Sequence, residues 1–186
     1  MNPQHDRRQY VSMAPCTYSV LLLCLGLLAF PTAFPGSASS ADVYFSPDGG
    51  IRQHLVRTIQ QSRQHIDVAV YQITSTELAS ALVTAKDRGV RIRILTDQEN
   101  LQSSGPALRI LRTSGVAIRS LGIVEQRLMH NKFAVFDDRV VATGSYNWTQ
   151  SAERANYENL VLLDDSEVVT RFQREFNRLW RQAEPW

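Results

Sequence analysis

From residue 42 onward, apolar positions fall into short runs divided by polar turns, and their spacing alternates between strand and helix periods. Asp42-Val43-Tyr44-Phe45 predicts a short strand, closed by Ser46-Pro47-Asp48-Gly49-Gly50. Ile51, Leu55, Val56 and Ile59 then recur at helical spacing, to about Gln64. Ile66 to Ile73 (IDVAVYQI) is a mostly apolar run of strand length, which suits a buried central strand. Thr74-Ser75-Thr76-Glu77 reads as a helix start, with a hydroxyl as cap and Glu77 in the first turn. That helix turns Leu78, Leu82 and Val83 inward and stops at Gly89. Val90 to Thr96 alternates, and Asp97-Gln98-Glu99-Asn100 reads as a polar loop. A helix over about Pro106 to Thr113 ends at Gly115, and a strand over Val116 to Leu121 follows.

The stretch Leu128 to Thr149 (LMHNKFAVFDDRVVATGSYNWT) adds two strands, marked by Phe133 and Val135, then Val140 and Val141, and joined at Asp137-Asp138-Arg139. Asn159 to Leu163 supplies another strand. Ser166 to about Gln182 supplies a closing amphipathic helix, with Val168, Val169, Phe172, Phe176, Leu179 and Trp180 on its apolar side. Strands alternating with helices predict an α/β fold: a mixed, largely parallel sheet flanked by helices on both faces. There is no repeat, low-complexity segment or long linker to divide residues 42–186, so they predict one domain.

Residues 1–41 are of another kind. Arg7 and Arg8 precede an apolar run, Val20 to Phe30, and then the small residues GSASSA ending at Ala41. The run is too short to span a bilayer, which takes about 20 residues. A basic region, a short apolar region and small residues, in that order, read as a signal peptide over 1–41, hence an exported protein, periplasmic or secreted. An uncleaved membrane anchor is the alternative, and Arg7-Arg8 loosely resembles a twin-arginine signal. Both cysteines, Cys16 and Cys24, fall in this segment, so residues 42–186 can form no disulfide, thiolate nucleophile or cysteine zinc site. The formal charge is only +2, and the leader holds Arg7, Arg8 and Asp6. Attraction to a polyanion must therefore come from a local patch.

The candidate chemistry lies in that hairpin stretch. His130 and Lys132 are two apart and share a face if the strand runs through both. Ser145 and Asn147 repeat the spacing near the end of the second strand. A nucleophile or base, a fixed cation and two short hydrogen-bonding groups converge on a small volume, which suits a phosphate. Lys132 is one of only two lysines, with Lys86, and an ammonium makes a point contact on one oxygen where a guanidinium would make a fork. Asp137, odd-spaced from His130, is expected to hold the strand or turn. Gly144 leaves room for a ligand to approach the backbone, or is an ordinary strand-end glycine. Glu158, at the start of the next strand, could accept from one ring nitrogen of His130, or is an ordinary surface carboxylate. Tyr146 and Trp148 could stack on bases or lipid chains, or pack the core. Arg109, Arg112, Arg119 and Arg127 could form a basic rim. No HExxH or DxD cluster supports a metal, and Ser145 lacks the Gly-x-Ser-x-Gly turn of a serine hydrolase.

HNKFAVFD, followed by GSYNWT and YENL, resembles the phospholipase D superfamily, whose signature is His-x-Lys-x4-Asp with a downstream Gly-Ser-x-Asn. Together with FSPDGG and the element order, the single motif is similar to short bacterial Nuc-type endonucleases. The resemblance implies a two-step displacement at phosphorus. His130 would be the nucleophile, Lys132, Ser145 and Asn147 would bind phosphate oxygens, and Glu158 would orient His130. Asp137 would be mainly structural, and no metal or cofactor is implied. Attack and leaving-group protonation need opposite protonation states of histidine, so one motif implies a homodimer with a shared active site. DNA, with RNA behind it, is the expected substrate. Phospholipid head-group hydrolysis is the alternative, and a silent nucleic-acid-binding module is a third reading.

Overall fold

The strand-length runs pair into one eight-stranded sheet in a computed structural model that describes residues 39–103, 105–122 and 127–186. In chain order the elements are β1 (Ala41–Ser46), α1 (Ile51–Gln61), β2 (His65–Val70), α2 (Thr76–Asp87), β3 (Arg91–Asp97), α3 (Gln98–Gln102) and α4 (Pro106–Thr113). These are followed by β4 (Ala117–Leu121), β5 (Lys132–Phe136), β6 (Val140–Gly144), α5 (Gln150–Arg154), β7 (Glu158–Leu163), α6 (Ser166–Gln182) and β8 (Glu184–Pro185). The sheet order is β1-β7-β6-β5-β2-β3-β4-β8. The expected α/β fold with a mixed sheet is therefore present. Among the named strands, parallel pairing is limited to β2–β3 and β3–β4, a smaller share than expected, because the hairpin β5–β6 and its neighbour β7 join as antiparallel strands.

Side-chain alternation along the central strands separates two apolar layers. Ile66, Val68 and Val70 of β2, with Ile92 and Ile94 of β3, face α1, α2 and α4. Ala69, Leu95, Phe133, Val135 and Val141 face the opposite way, against Val169, Phe176 and Leu179 of α6. Burying a side chain such as Phe176 stabilises the fold by about 1.5–3 kcal/mol. Helices thus cover both faces, and among the described residues α6 is alone among the long helices on its side.

Local signals explain most boundaries. The Ser75 hydroxyl accepts from Leu78 N at 3.3 Å and opens α2, and Asp165 accepts from Val168 N at 2.9 Å and opens α6. Pro106 occupies the first turn of α4, where its missing N–H costs nothing. The polar run after β3 is a short helix rather than a loop, because Asp97 caps it by accepting from Glu99 N at 3.0 Å. Between β5 and β6, Asp137 and Asp138 take φ of 55° and 54°, and Arg139 N donates to Phe136 O at 2.9 Å. Two left-handed residues in a two-residue turn match the twist of the flanking strands, and aspartate tolerates that region better than most residues.

A buried ion pair joins β2 to β3, through one carboxylate inside the mostly apolar run of β2. Asp67 is fully buried and accepts from Arg93 Nε and Gln173 Nε2, each at 2.7 Å, while Arg93 also donates to Asn177 Oδ1 at 2.9 Å. At the sheet edge, the backbone N–H and the hydroxyl of Ser40 both donate to the Asp164 carboxylate, and Ala41 pairs with Leu163. The folded unit therefore takes in two residues before Asp42. The signal peptide expected over 1–41 falls almost wholly outside the described residues.

Asp137 fastens the hairpin to β2. Its carboxylate accepts from the backbone N–H groups of Arg63, Gln64 and His65 at 2.8, 2.8 and 2.9 Å. Burial pushes its carboxyl up, but the three backbone donors and His65 together outweigh that and hold it below the ordinary aspartate value. Asp137→Ala leaves three donors without their acceptor and should cost about 1–3 kcal/mol in a urea melt, since part of the loss is recovered by water. Because the folded group has the depressed pKa, its contribution is complete above the unfolded value, 3.8, and is lost as pH falls through the folded one. The stability difference between wild type and Asp137→Ala should therefore shrink on acidification below about pH 4, while staying flat from pH 6 to 8.

Candidate active site

The strand registers bring one end of β2, β3, β5, β6 and β7 together. Val70, the last residue of β2, pairs with Lys132, the first of β5. Phe133 pairs with Thr143 near the end of β6, and Gly144 pairs with Leu160 near the start of β7. The polar residues just past these ends share one edge of the sheet, outside the carboxyl ends of the parallel strands, where open α/β sheets form their ligand crevices.

His130 lies two residues before β5 rather than inside it. The segment leading to it crosses the end of β3, because Met129 N donates to the buried Asp97 carboxylate at 2.8 Å. Strand-like bonding resumes at Asn131, whose carbonyl accepts from Tyr71 N at 2.9 Å. The imidazole of His130 packs against the Tyr71 ring, with centroids 4.8 Å apart and planes at 52°. Lys132 Nζ lies 5.3 Å from the centroid of that ring and donates to His130 O at 2.7 Å. Burial lowers the Lys132 pKa below the ordinary lysine value, and nearby Glu158 partly offsets this.

Beyond β6, Ser145 Oγ donates to Glu158 Oε2 at 2.5 Å and accepts from Asn159 N at 3.1 Å. The other Glu158 oxygen accepts from Asn156 Nδ2 at 3.0 Å. The carboxylate is thus held by Ser145 and Asn156, with Lys132 as its nearby positive charge. The direct hold on a His130 ring nitrogen expected from sequence is not its arrangement here. Asn147 lies outside any strand, and its side-chain oxygen accepts from Gln72 N at 3.3 Å, which leaves the amide nitrogen as the group with protons to offer. His130, Lys132, Ser145, Asn147 and Glu158 are all at this edge. Asp137 is at the opposite end of β5.

Gly144 has a different use from the one weighed from sequence. A Cβ there would lie 2.2 Å from Asn159 O, so the missing side chain lets β6 close onto β7 and carry Ser145 beside Glu158. Tyr146 and Trp148 are core residues, 1% and 2% exposed. Burial raises the Tyr146 phenol, whose OH donates to Glu153 Oε2 at 2.8 Å. The basic rim is partly used elsewhere. Arg119 donates to Trp180 O at 2.8 Å and stacks 4.7 Å over that ring, and Arg112 lies 4.8 Å over Trp186.

Sequence reasoning passed over Tyr71, Asp97 and Glu99. Tyr71 was absorbed into an apolar strand, and the other two into a polar loop. The signal that could have found them is positional: polar groups immediately after the carboxyl ends of adjacent parallel strands. Among the described residues no group of three or more His, Cys, Asp or Glu is arranged to hold a metal ion.

The family described as "Cardiolipin synthase, PLD-like domain" matches residues 55–180. A mitochondrial cardiolipin hydrolase of Xenopus tropicalis is 37% identical over 131 residues, covering 70% of this chain and 61% of that protein. The Mus musculus protein of the same name is 31% identical over 185 residues, covering 98% of this chain and 78% of its own. Among solved structures, the phospholipase D family member Nuc of Salmonella typhimurium superposes with a TM-score of 0.72 at 28% identity, covering 80% of this chain and 98% of Nuc. NucT of Helicobacter pylori superposes with a TM-score of 0.70 at 22% identity, over 80% of this chain and 99% of its own, a likeness of fold alone. The relatives' names overturn the periplasmic or secreted location expected from residues 1–41, since both are named as mitochondrial. No helix among the described residues is long and apolar enough to cross a membrane. On the family match and the two relatives, the chain belongs to the phospholipase D superfamily.

Proposed function

We propose that residues 42–186 form a metal-independent phosphodiesterase that cleaves DNA, and RNA less preferentially, through a covalent phosphohistidine. The observation that carries this reading is the shared contact of His130 and Lys132 with the Tyr71 ring at the sheet edge where Glu158 and Ser145 meet. A neutral His130 attacks phosphorus, forming an N–P bond as the P–O bond to the leaving group breaks. His130 of a second copy, in its protonated form, gives its proton to the departing oxygen. Water then displaces the phosphorus from His130, with the second histidine, now neutral, removing the proton. Lys132 supplies positive charge to the phosphate oxygens throughout, which is the part a metal would otherwise play. Asn147 donates from its amide nitrogen, and Glu158 keeps Ser145 and Lys132 oriented. The homodimer follows from the chemistry, because one imidazole cannot be nucleophile and acid in the same step.

Phospholipid is the second reading. The relatives named cardiolipin hydrolases support it, as do the exposed apolar side chains bordering the site: Phe45, Leu128 and Tyr157 are 61%, 54% and 92% exposed.

Full-length protein should be incubated in excess EDTA with plasmid DNA and, separately, with cardiolipin vesicles. Cleavage of DNA that persists in EDTA is expected, and His130→Ala should reduce kcat by roughly a thousandfold or more. Lipid hydrolysis without nicking of DNA would transfer the activity to phospholipid. Loss of both activities in EDTA would end the metal-free reading, and binding without turnover would leave a silent module.

The depressed Lys132 pKa has its own signature. The protonated ammonium is the active form, so kcat/KM should fall on the alkaline side below the ordinary lysine value of 10.5. Lys132→Arg should remove that limb while lowering kcat/KM roughly ten- to a hundredfold, because the guanidinium stays charged but does not fit a point contact.

A further inference from the structure

We propose that Tyr71 is a positioning residue that sets the His130 imidazole and the Lys132 ammonium against one another, and that Glu99 acts through it. This rests on the phosphodiesterase reading of the same site.

One ring touches both groups: the His130 ring at 4.8 Å between centroids and Lys132 Nζ at 5.3 Å. The face of an aromatic ring is its negative side, so a tyrosine there attracts an ammonium, and an imidazolium as well, without accepting a proton from either. A carboxylate in its place would form ion pairs and pull both side chains away from a phosphate. The aromatic wall therefore orients both side chains while leaving their nitrogens for substrate.

The wall is itself fastened at three points. Tyr71 N donates to Asn131 O at 2.9 Å, Tyr71 O accepts from Thr96 Oγ1 at 3.1 Å, and the phenol donates to Glu99 Oε2 at 3.3 Å. Glu99 stands in the first turn of α3, which begins where Asp97 caps it, and the same Asp97 carboxylate accepts from Met129 N at 2.8 Å. His130 is thus held from two directions that start at one buried aspartate. Its backbone is fixed through Met129, and its ring through Glu99 and Tyr71. Burial and the Glu99 carboxylate raise the Tyr71 phenol above its ordinary value, so the ring stays neutral and keeps its proton for that bond.

The test uses full-length protein, the diester bis(4-nitrophenyl) phosphate as probe, and the variants Tyr71→Leu, Tyr71→Phe, Glu99→Ala and the double Tyr71→Phe/Glu99→Ala. Tyr71→Leu removes the wall and should lower kcat about ten- to a hundredfold with KM within about threefold, as expected for a misplaced nucleophile. Tyr71→Phe and Glu99→Ala each break the same hydrogen bond, so each should lower kcat about two- to fivefold, and the double variant should be no worse than either. That non-additivity tests whether both residues act through the one hydrogen bond. The His130 ring proton resonances, read by NMR, supply a readout independent of activity: the Tyr71 ring current should be retained in Tyr71→Phe and lost in Tyr71→Leu. Should Tyr71→Leu fail to fold, the remaining variants decide. The inference is overturned by a folded Tyr71→Leu with kcat within twofold of wild type, by losses that multiply in the double variant, or by unchanged His130 resonances without the ring. If wild type cleaves no diester, the phosphodiesterase reading falls, while the resonances still test the contact itself.

Discussion

A slip of one residue between β5 and β2 would send Lys132 to the other face of the sheet. The pairing of Val70 with Lys132 prevents it. That register is pinned at the far end, where the Asp137 carboxylate accepts from three consecutive backbone N–H groups ahead of and at the start of β2. A residue of the motif that lies away from the chemistry thus decides which side chains reach it. The lock is mechanical: the hairpin cannot slide along β2 without surrendering all three bonds. The apolar alternation on β5 reinforces it, since Phe133 and Val135 belong to one core layer and Ala134 and Phe136 to the other.

The electrostatics of the site rest on partial compensation. Lys132 is half-buried and loses part of its preference for the charged form, and the nearby Glu158 restores some of it. Glu158 is itself divided between Ser145 and Asn156, so its charge is spread over two donors, with Lys132 as a nearby cation. None of these groups is locked in an ion pair given by the structure, so a phosphate bound as proposed would meet donors that are aimed but not saturated. Donors fixed in advance are worth more to such a reaction than donors that must be rearranged when charge develops.

The order of elements and the chemical cluster were legible because each has a strong local code. The helix Ser166–Gln182 follows from its apolar spacing and its Asp165 cap, and the hairpin from two apolar runs around an aspartate pair. His130, Lys132, Ser145, Asn147 and Glu158 could be named because motif spacing is itself local. What stayed hidden depends on packing between distant segments. The strand period extended through His130 breaks because Asp97, more than thirty residues earlier, takes the Met129 amide. Glu158 faces Ser145 and not the histidine ring because Gly144 lets β7 come close. Tyr71 is indistinguishable in one dimension from any aromatic at the end of a buried strand. The share of parallel pairing was overestimated because alternation of strands and helices reports crossovers, while the hairpin inserted beside β2 reverses direction with no helix to announce it.

The buried cluster under α6 has consequences for how this chain can change over time. Asp67 is a fully desolvated carboxylate whose partners come from β3 and from α6, so it acts as a key that fits only one docking position of that helix. Replacing the carboxylate alone leaves the Arg93 charge against the Phe176 and Trp180 rings with Asn177 as its remaining partner, and replacing the arginine alone leaves a buried carboxylate without its cation; either loss is larger than the net worth of the pair. An apolar pair of matching volume could satisfy the same space, yet the path to it passes through a single-substitution intermediate that folds poorly. The two positions are therefore confined to changing together, an epistatic trap set by desolvation and located well away from the candidate site.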